Sequence, residues 1–227
     1  MIQMTKIFDN NALNILPLPS GFIVAFCKND DGDDGKMVVA YSLVSFRNET
    51  VSPVTRSVYQ LAKFGQCYKL IENQLENPFY WKTIFLQGDM LFCYYPDGSA
   101  KIFDSEARVK WEGTIMYEGK GASEVVLQGG SIWASFPESG CISRINIKTM
   151  REELRIGGEN SAFLNPTGMF LEDDRLFVCN SGNGKIWEVN TNNFSVSEYL
   201  SFDEPVHQFI KINGVALVRL DSGVYKL

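Results

Sequence analysis

Apolar residues fall in short runs along this chain, separated by clusters of Gly, Asp, Asn, Ser and Pro. Runs of that length bounded by turn formers predict strands, and helical periodicity is nearly absent. The runs also recur. QGDMLFCYYPDGSAKIFD from Gln87, QGGSIWASFPESGCISRIN from Gln128, EDDRLFVCNSGNGKIWEVN from Glu172 and INGVALVRLDSGVYKL from Ile212 share one pattern. Each has a tight turn, a strand, a Gly-containing turn and a second strand. A divergent first copy, PSGFIVAFCKNDDGDDGKMVVAYSL, begins at Pro19. The later copies start 40 to 44 residues apart.

A further apolar run precedes each copy, at residues 12–18, 83–86, 124–127, 168–171 and 207–212. Most copies are followed by a fourth, more polar run, such as residues 151–156 and 194–200. Four strands in about 40 residues is the repeat of a propeller blade. The second strands are apolar on both faces: Leu91, Cys93 and Tyr95 on one, Phe92 and Tyr94 on the other. A sheet with one wet face alternates instead, so a β-sandwich, the alternative architecture, fits less well. The last copy ends at Leu227 on its third strand, while residues 2–8 form an orphan strand ahead of the first copy. Pairing the two closes a ring without a free sheet edge. The expectation is an all-β chain: one domain over residues 1–227, a five-bladed β-propeller of four-stranded antiparallel blades, with the N-terminal strand completing the last blade.

One blade carries a resemblance. Asn165-Pro166-Thr167-Gly168 followed by LEDDRLFVCNSGNGKIWEVN from Leu171 resembles blades of the NHL, streptogramin-lyase and gluconolactonase group, and more broadly WD40-like repeats. The resemblance is to a repeat type and implies the propeller fold. It carries no catalytic residues across, because the lyase and lactonase signatures are missing. The lyases are expected to use more than one His, and this chain has 1, His207.

Composition narrows the partners. A net charge of −6, with Lys and Arg scattered singly, excludes the basic footprint of a nucleic-acid binder. No apolar run is long enough for a membrane span, and MIQMTKIFDNN has no signal-peptide core. The 5 cysteines form no CxxC pair, and Cys27, Cys93 and Cys179 sit in apolar runs as small buried hydrophobes. A soluble, cytoplasmic monomer without a cofactor is expected, a mature secreted form being the alternative.

The register nominates a site. In a propeller the first strands line a central channel. The loops leading into them share one face, the mouth face, with the turns between second and third strands. That places Asn14, Trp81, Lys82, Ser123, Glu124, Thr167 and His207 at the mouth, with Asn180 and Arg219 at the ends of second strands. His207 as a general base needs a carboxylate partner, and Glu124 is the inner carboxylate available by register. Lys82 and Glu124 are the candidates for an ion pair across the channel. Residues 63–81, KFGQCYKLIENQLENPFYW, break the repeat on the same face. They offer a short helix and the aromatic cluster ending in Tyr80 and Trp81, a platform for a sugar or an anchor for a partner. In NDDGDDGK, Asn29, Asp31 and Asp33 match the first, third and fifth positions of a calcium loop. Asp34 stands where Gly is required, and no acid stands at the twelfth. The stretch therefore reads as the hairpin tip of the first blade. With Asp97, Glu138 and Asp221 on equivalent turns, it gives the mouth face an acidic rim suited to a cationic ligand. The expected function is a non-enzymatic module that binds a protein, a peptide or a glycan. The alternative is a lyase or hydrolase, possibly metal-assisted, with its site in the channel.

Overall fold

The computed structural model describes residues 3–9, 12–29, 36–48, 50–59, 82–86, 90–95 and 97–227, the side chains of residues 82–85 excepted. Tyr80, Trp81, Asp31, Asp33, the Lys82 side chain and the whole insertion 63–81 therefore lie outside the described residues.

Strand β1 (Thr5–Phe8) precedes the first blade. Blade I holds β2 (Ala12–Leu18), β3 (Gly21–Asn29), β4 (Met37–Ser45) and β5 (Val51–Val54). Blade II holds β6 (Lys82–Leu86), β7 (Met90–Tyr94), β8 (Ser99–Phe103) and β9 (Val109–Thr114). A small hairpin follows, β10 (Met116–Tyr117) with β11 (Lys120–Gly121). Blade III holds β12 (Glu124–Gln128), β13 (Ser131–Phe136), β14 (Cys141–Asn146) and β15 (Glu152–Gly157). Blade IV holds β16 (Pro166–Glu172), β17 (Arg175–Asn180), β18 (Lys185–Asn190) and β19 (Val196–Ser201). Blade V holds β20 (Val206–Ile212), β21 (Val215–Leu220) and β22 (Gly223–Lys226). Its fourth strand is β1, paired Thr5 to Lys226, Lys6 to Tyr225 and Phe8 to Val224. The five sheets form a ring, as the repeat predicts.

Local chemistry explains the hairpins. The turn from β20 to β21 is Asn213-Gly214, with φ of 49° and 79°. Two left-handed residues give the primed turn whose twist matches that of the flanking strands, and Asn and Gly tolerate it best. The hairpin β10–β11, which the repeat pattern does not show, turns the same way on Glu118 and Gly119 at φ of 50° and 77°.

The core lies between blades rather than inside any one of them. Ile132 and Ala134 of β13 pack towards Phe92 and Tyr94 of blade II, while Trp133 faces Leu176 and Val178 of blade IV. On β17 the alternate residues Phe177 and Cys179 face Phe209 and Val218 of blade V. Both faces of β13 and of β17 are thus buried, which explains their apolar sequence. The inner strands touch in the order β6, β12, β16, β20, β2. Between blades IV and V the approach is so close that a Cβ on Gly168 would lie 2.2 Å from the His207 carbonyl oxygen. Between blades V and I, Gln208 spans the seam. Its Oε1 accepts the Ile15 N–H at 2.9 Å and its Nε2 donates to the Ile15 carbonyl at 3.0 Å.

Candidate binding face

Three inner strands break register near their beginnings. Ala12 pairs with Phe26 and Asn14 with Ala25, leaving Leu13 bulged. Thr167 is left over in the same way between Pro166 and Gly168, and His207 between Val206 and Gln208. A bulge re-aims the extra side chain, and all three sit where the chain enters the ring at the mouth face. Leu13 is 46% exposed as a result.

His207 finds its partner through this geometry. Val206 pairs with Leu220, so the next residues meet at the β21–β22 turn. His207 Nε2 lies 2.6 Å from Asp221 Oδ1. The expected partner was Glu124; the structure places Asp221 there instead. Glu124 turns back on its own strand, its Oε1 accepting the Val125 N–H at 2.9 Å and its N–H donating to Ser135 Oγ at 3.1 Å. Search among inner-strand acids alone misses Asp221, which the sequence shows only as a rim carboxylate. Beside the pair, Ser222 donates its N–H (2.7 Å) and its hydroxyl (2.5 Å) to Glu204, and the Tyr225 hydroxyl lies 2.7 Å from Ser222 Oγ. The Ser222 hydroxyl is therefore committed to holding the turn.

The other nominated residues divide between seams and surface. Asn180 is fully buried, donating to the Ala162 carbonyl at 3.0 Å, and its Oδ1 has no partner among the described residues. Thr167 gives its carbonyl to Ser135 Oγ at 3.2 Å and reaches the Cys179 carbonyl with its hydroxyl at 3.4 Å. Arg219 lies in the seam between blades V and I, its guanidinium donating to the Ala12 carbonyl at 3.1 Å, and burial lowers its pKa. Burial also pushes the Cys179 thiol well above the usual range, so it is inert as a nucleophile. Asn14 hydrogen-bonds Tyr59, whose ring stacks on Tyr41 at 4.4 Å between centroids. Burial holds the Tyr59 phenol up to about 12. The chain entering the 63–81 insertion is thus anchored at the mouth by one buried ring. Asn29 ends β3 opposite Met37, the first residue of β4, and the acidic stretch between them lies outside the described residues. Among the described residues no three of His, Cys, Asp or Glu gather as a metal set.

Two features remain at the surface. A shallow cleft of about 250 Å³ opens between the β11–β12 link and the β13–β14 turn, lined by Lys120, Ser123, Phe136, Glu138 and Ser139. Lys120 and Glu138 close one lip at 3.1 Å. Around it, Met116 and Leu164 are 44% and 55% exposed on the same face as Leu13. Asp97, Glu118, Glu138, Asp203 and Asp221 share that face. Described cations lie there too, among them Lys28, Lys36, Arg56, Lys120, Arg155, Lys185 and Arg219; Lys120, Arg155 and Lys185 are paired with Glu138, Glu152 and Glu198.

No family model matches the chain, and no curated protein aligns with it significantly. Solved structures do. The WD40 β-propeller domain of Doa1 superposes with a TM-score of 0.54 at 12% identity, over 88% of this chain and 61% of that one. Saccharomyces cerevisiae Sqt1 gives 0.53 at 11%, over 91% and 68%. The Neurospora crassa Pan2 WD40 domain gives 0.53 at 15%, over 65% and 46%. The chain spans about three fifths of the Doa1 domain and under half of the Pan2 domain. At such identity the likeness is one of fold: this chain is a β-propeller similar to WD40 domains.

Proposed function

We propose that this propeller is a non-enzymatic binding scaffold whose mouth face takes a basic segment of a partner protein. The observation behind this reading is the coexistence, on one face, of exposed Leu13, Met116 and Leu164 with a rim of carboxylates. Scattered apolar contacts inside a charged rim suit a peptide bearing both apolar and cationic side chains. Tyr80, Trp81, Lys82, Glu124, Thr167 and His207 are the residues proposed to border it. The fold likeness to WD40 domains supports a scaffold, and the NHL-type reading of blade IV is kept as part of the proposal. So are a single domain, a monomer and a cytoplasmic location.

The test is binding of labelled short peptides that alternate Val with Lys, against matched peptides that alternate Val with Glu. The Lys series is expected to bind at low salt and weaken steeply as salt screens the rim. A double variant, Leu13→Ser with Leu164→Ser, which removes the apolar contacts without changing charge, is expected to lose affinity by about tenfold or more while keeping its unfolding midpoint. Equal binding of the Glu series, or an unaffected double variant, would sink the proposal. The His207–Asp221 pair is the one observation favouring an enzyme. Turnover of simple ester, lactone or glycoside substrates that disappears in His207→Ala would establish that reading instead.

A further inference from the structure

Arg108, Arg144, Arg155 and Arg175 each have a carboxylate oxygen within 3.4 Å. Arg219 has no acid within ion-pair distance among the described residues. It stands on β21 directly opposite Gln208 of β20, so the two side chains share the face of blade V that meets blade I. In that seam Gln208 takes both main-chain groups of Ile15, and Arg219 Nη1 donates to the Ala12 carbonyl at 3.1 Å. Leu217, on the same face, packs with Ile15 and Val24, so the seam behind the guanidinium is apolar. Arg219 Nε is buried without a partner. Nη2 is not enclosed in that way, and it too has no partner among the described residues. Burial pushes the pKa of Arg219 down, whereas the Glu188 hydrogen bond pushes that of Arg175 up. Asp221 attracts Arg219 from a distance, but its carboxylate is engaged by His207 Nε2 at 2.6 Å. A partly buried guanidinium without its own acid is unfavourable by itself and suited to an incoming anion. The bulged Leu13, 46% exposed, follows the residue whose carbonyl Arg219 holds, so an apolar contact adjoins the charge.

We propose that Arg219 is an anion site, its Nη2 donating to a carboxylate of the bound peptide at the mouth end of the seam between blades V and I, beside Leu13. Hydrogen bonds between a guanidinium and a carboxylate are charge-assisted and directional. A basic peptide carries a carboxylate at its own C-terminus, so the site needs no acidic residue in the guest. The guest's cationic side chains face the rim while its carboxylate lies over the seam, which fixes the direction in which it crosses the face. This inference rests on the scaffold reading and orients its guest.

The experiment uses the full chain and three forms of one Val–Lys peptide at fixed ionic strength: the free C-terminal acid, the C-terminal amide, and the amide with Glu as its last residue. The free acid is expected to bind about tenfold more tightly than the amide. An acidic rim acting alone gives the opposite order, because the amide carries one more net positive charge. In Arg219→Gln the preference for the free acid is expected to vanish. A Glu-ended amide that binds like the free acid supports the site with a side-chain carboxylate as its ligand. One that binds like the plain amide supports it with the terminal carboxylate. If the wild-type chain binds the free acid no better than the amide, or if Arg219→Gln keeps the full preference, Arg219 is not the site. The wild-type comparison needs no variant and decides the matter even if Arg219→Gln does not fold. Where the site fails, loss of binding in Leu13→Ser with Leu164→Ser keeps the scaffold reading and removes only this one. Absence of binding by all three peptides overturns both.

Discussion

Tyr94 is fully buried, and its hydroxyl donates to the Ala122 carbonyl at 2.9 Å, fastening blade II to the lead-in of blade III. Burial holds its phenol up to about 12, as it does for Tyr59. An unfolded chain loses these protons near pH 10. The folded state therefore binds more protons between the two values, and stability must fall across that window as pH rises. Below pH 10 the full contribution is present. Urea midpoints measured from pH 8 to 12 should fall steeply above 10. Tyr94→Phe should flatten that fall while costing about 1 kcal/mol at neutral pH through the lost hydrogen bond. An identical alkaline slope in the variant would show that Tyr94 does not titrate as described. The sequence marks Tyr94 as buried but not as bonded, because the Ala122 carbonyl is presented by a connection outside the repeat. His207 and Asp221 teach the same lesson, since their meeting depends on a bulge that no apolar pattern encodes.

At the level of elements, β1 against β22 completes blade V, and side chains fasten its seam with blade I: Gln208 to the Ile15 main chain, Arg219 to the Ala12 carbonyl and Asn213 to the Pro19 carbonyl. Gln208→Ala should lower stability by about 1 to 3 kcal/mol, since it leaves two main-chain groups short of partners. Denaturant unfolding checks this, and a loss below a few tenths of a kcal/mol would mean that water replaces the side chain. Strand positions were legible to within a residue or two. The run at residues 12–18 is β2, and residues 207–212 become β20 (Val206–Ile212). The orphan strand is shorter than its apolar run, beginning at Thr5. The hairpin β10–β11 was not legible, because 2 residues per strand are too few to show alternation. Its signal was the pair Glu118-Gly119, a weaker turn former than Asn-Gly.

For the whole molecule, the ring was legible because each blade must bury both faces against neighbours. That demand writes five similar apolar patterns into the chain. The face that binds was less legible, since exposed side chains at loop ends obey no period. A core shared between blades also implies that no blade is stable alone. Urea unfolding followed by Trp fluorescence and by far-ultraviolet circular dichroism should therefore give one coincident transition. Two separated transitions would divide the chain into independent units and overturn the single-domain proposal. The pairing of Thr5 with Lys226 sets a timetable as well. Residues 5–8 are synthesised about 215 residues ahead of their partner strand. At about 5 to 20 residues per second, the first strand waits on the order of ten to forty seconds before its edge is met. Four blades can pack during that interval, so ring closure follows their packing. A chain stalled before Gly223 would carry both an unmatched first strand and an open edge on β21, a nascent species that invites chaperone capture.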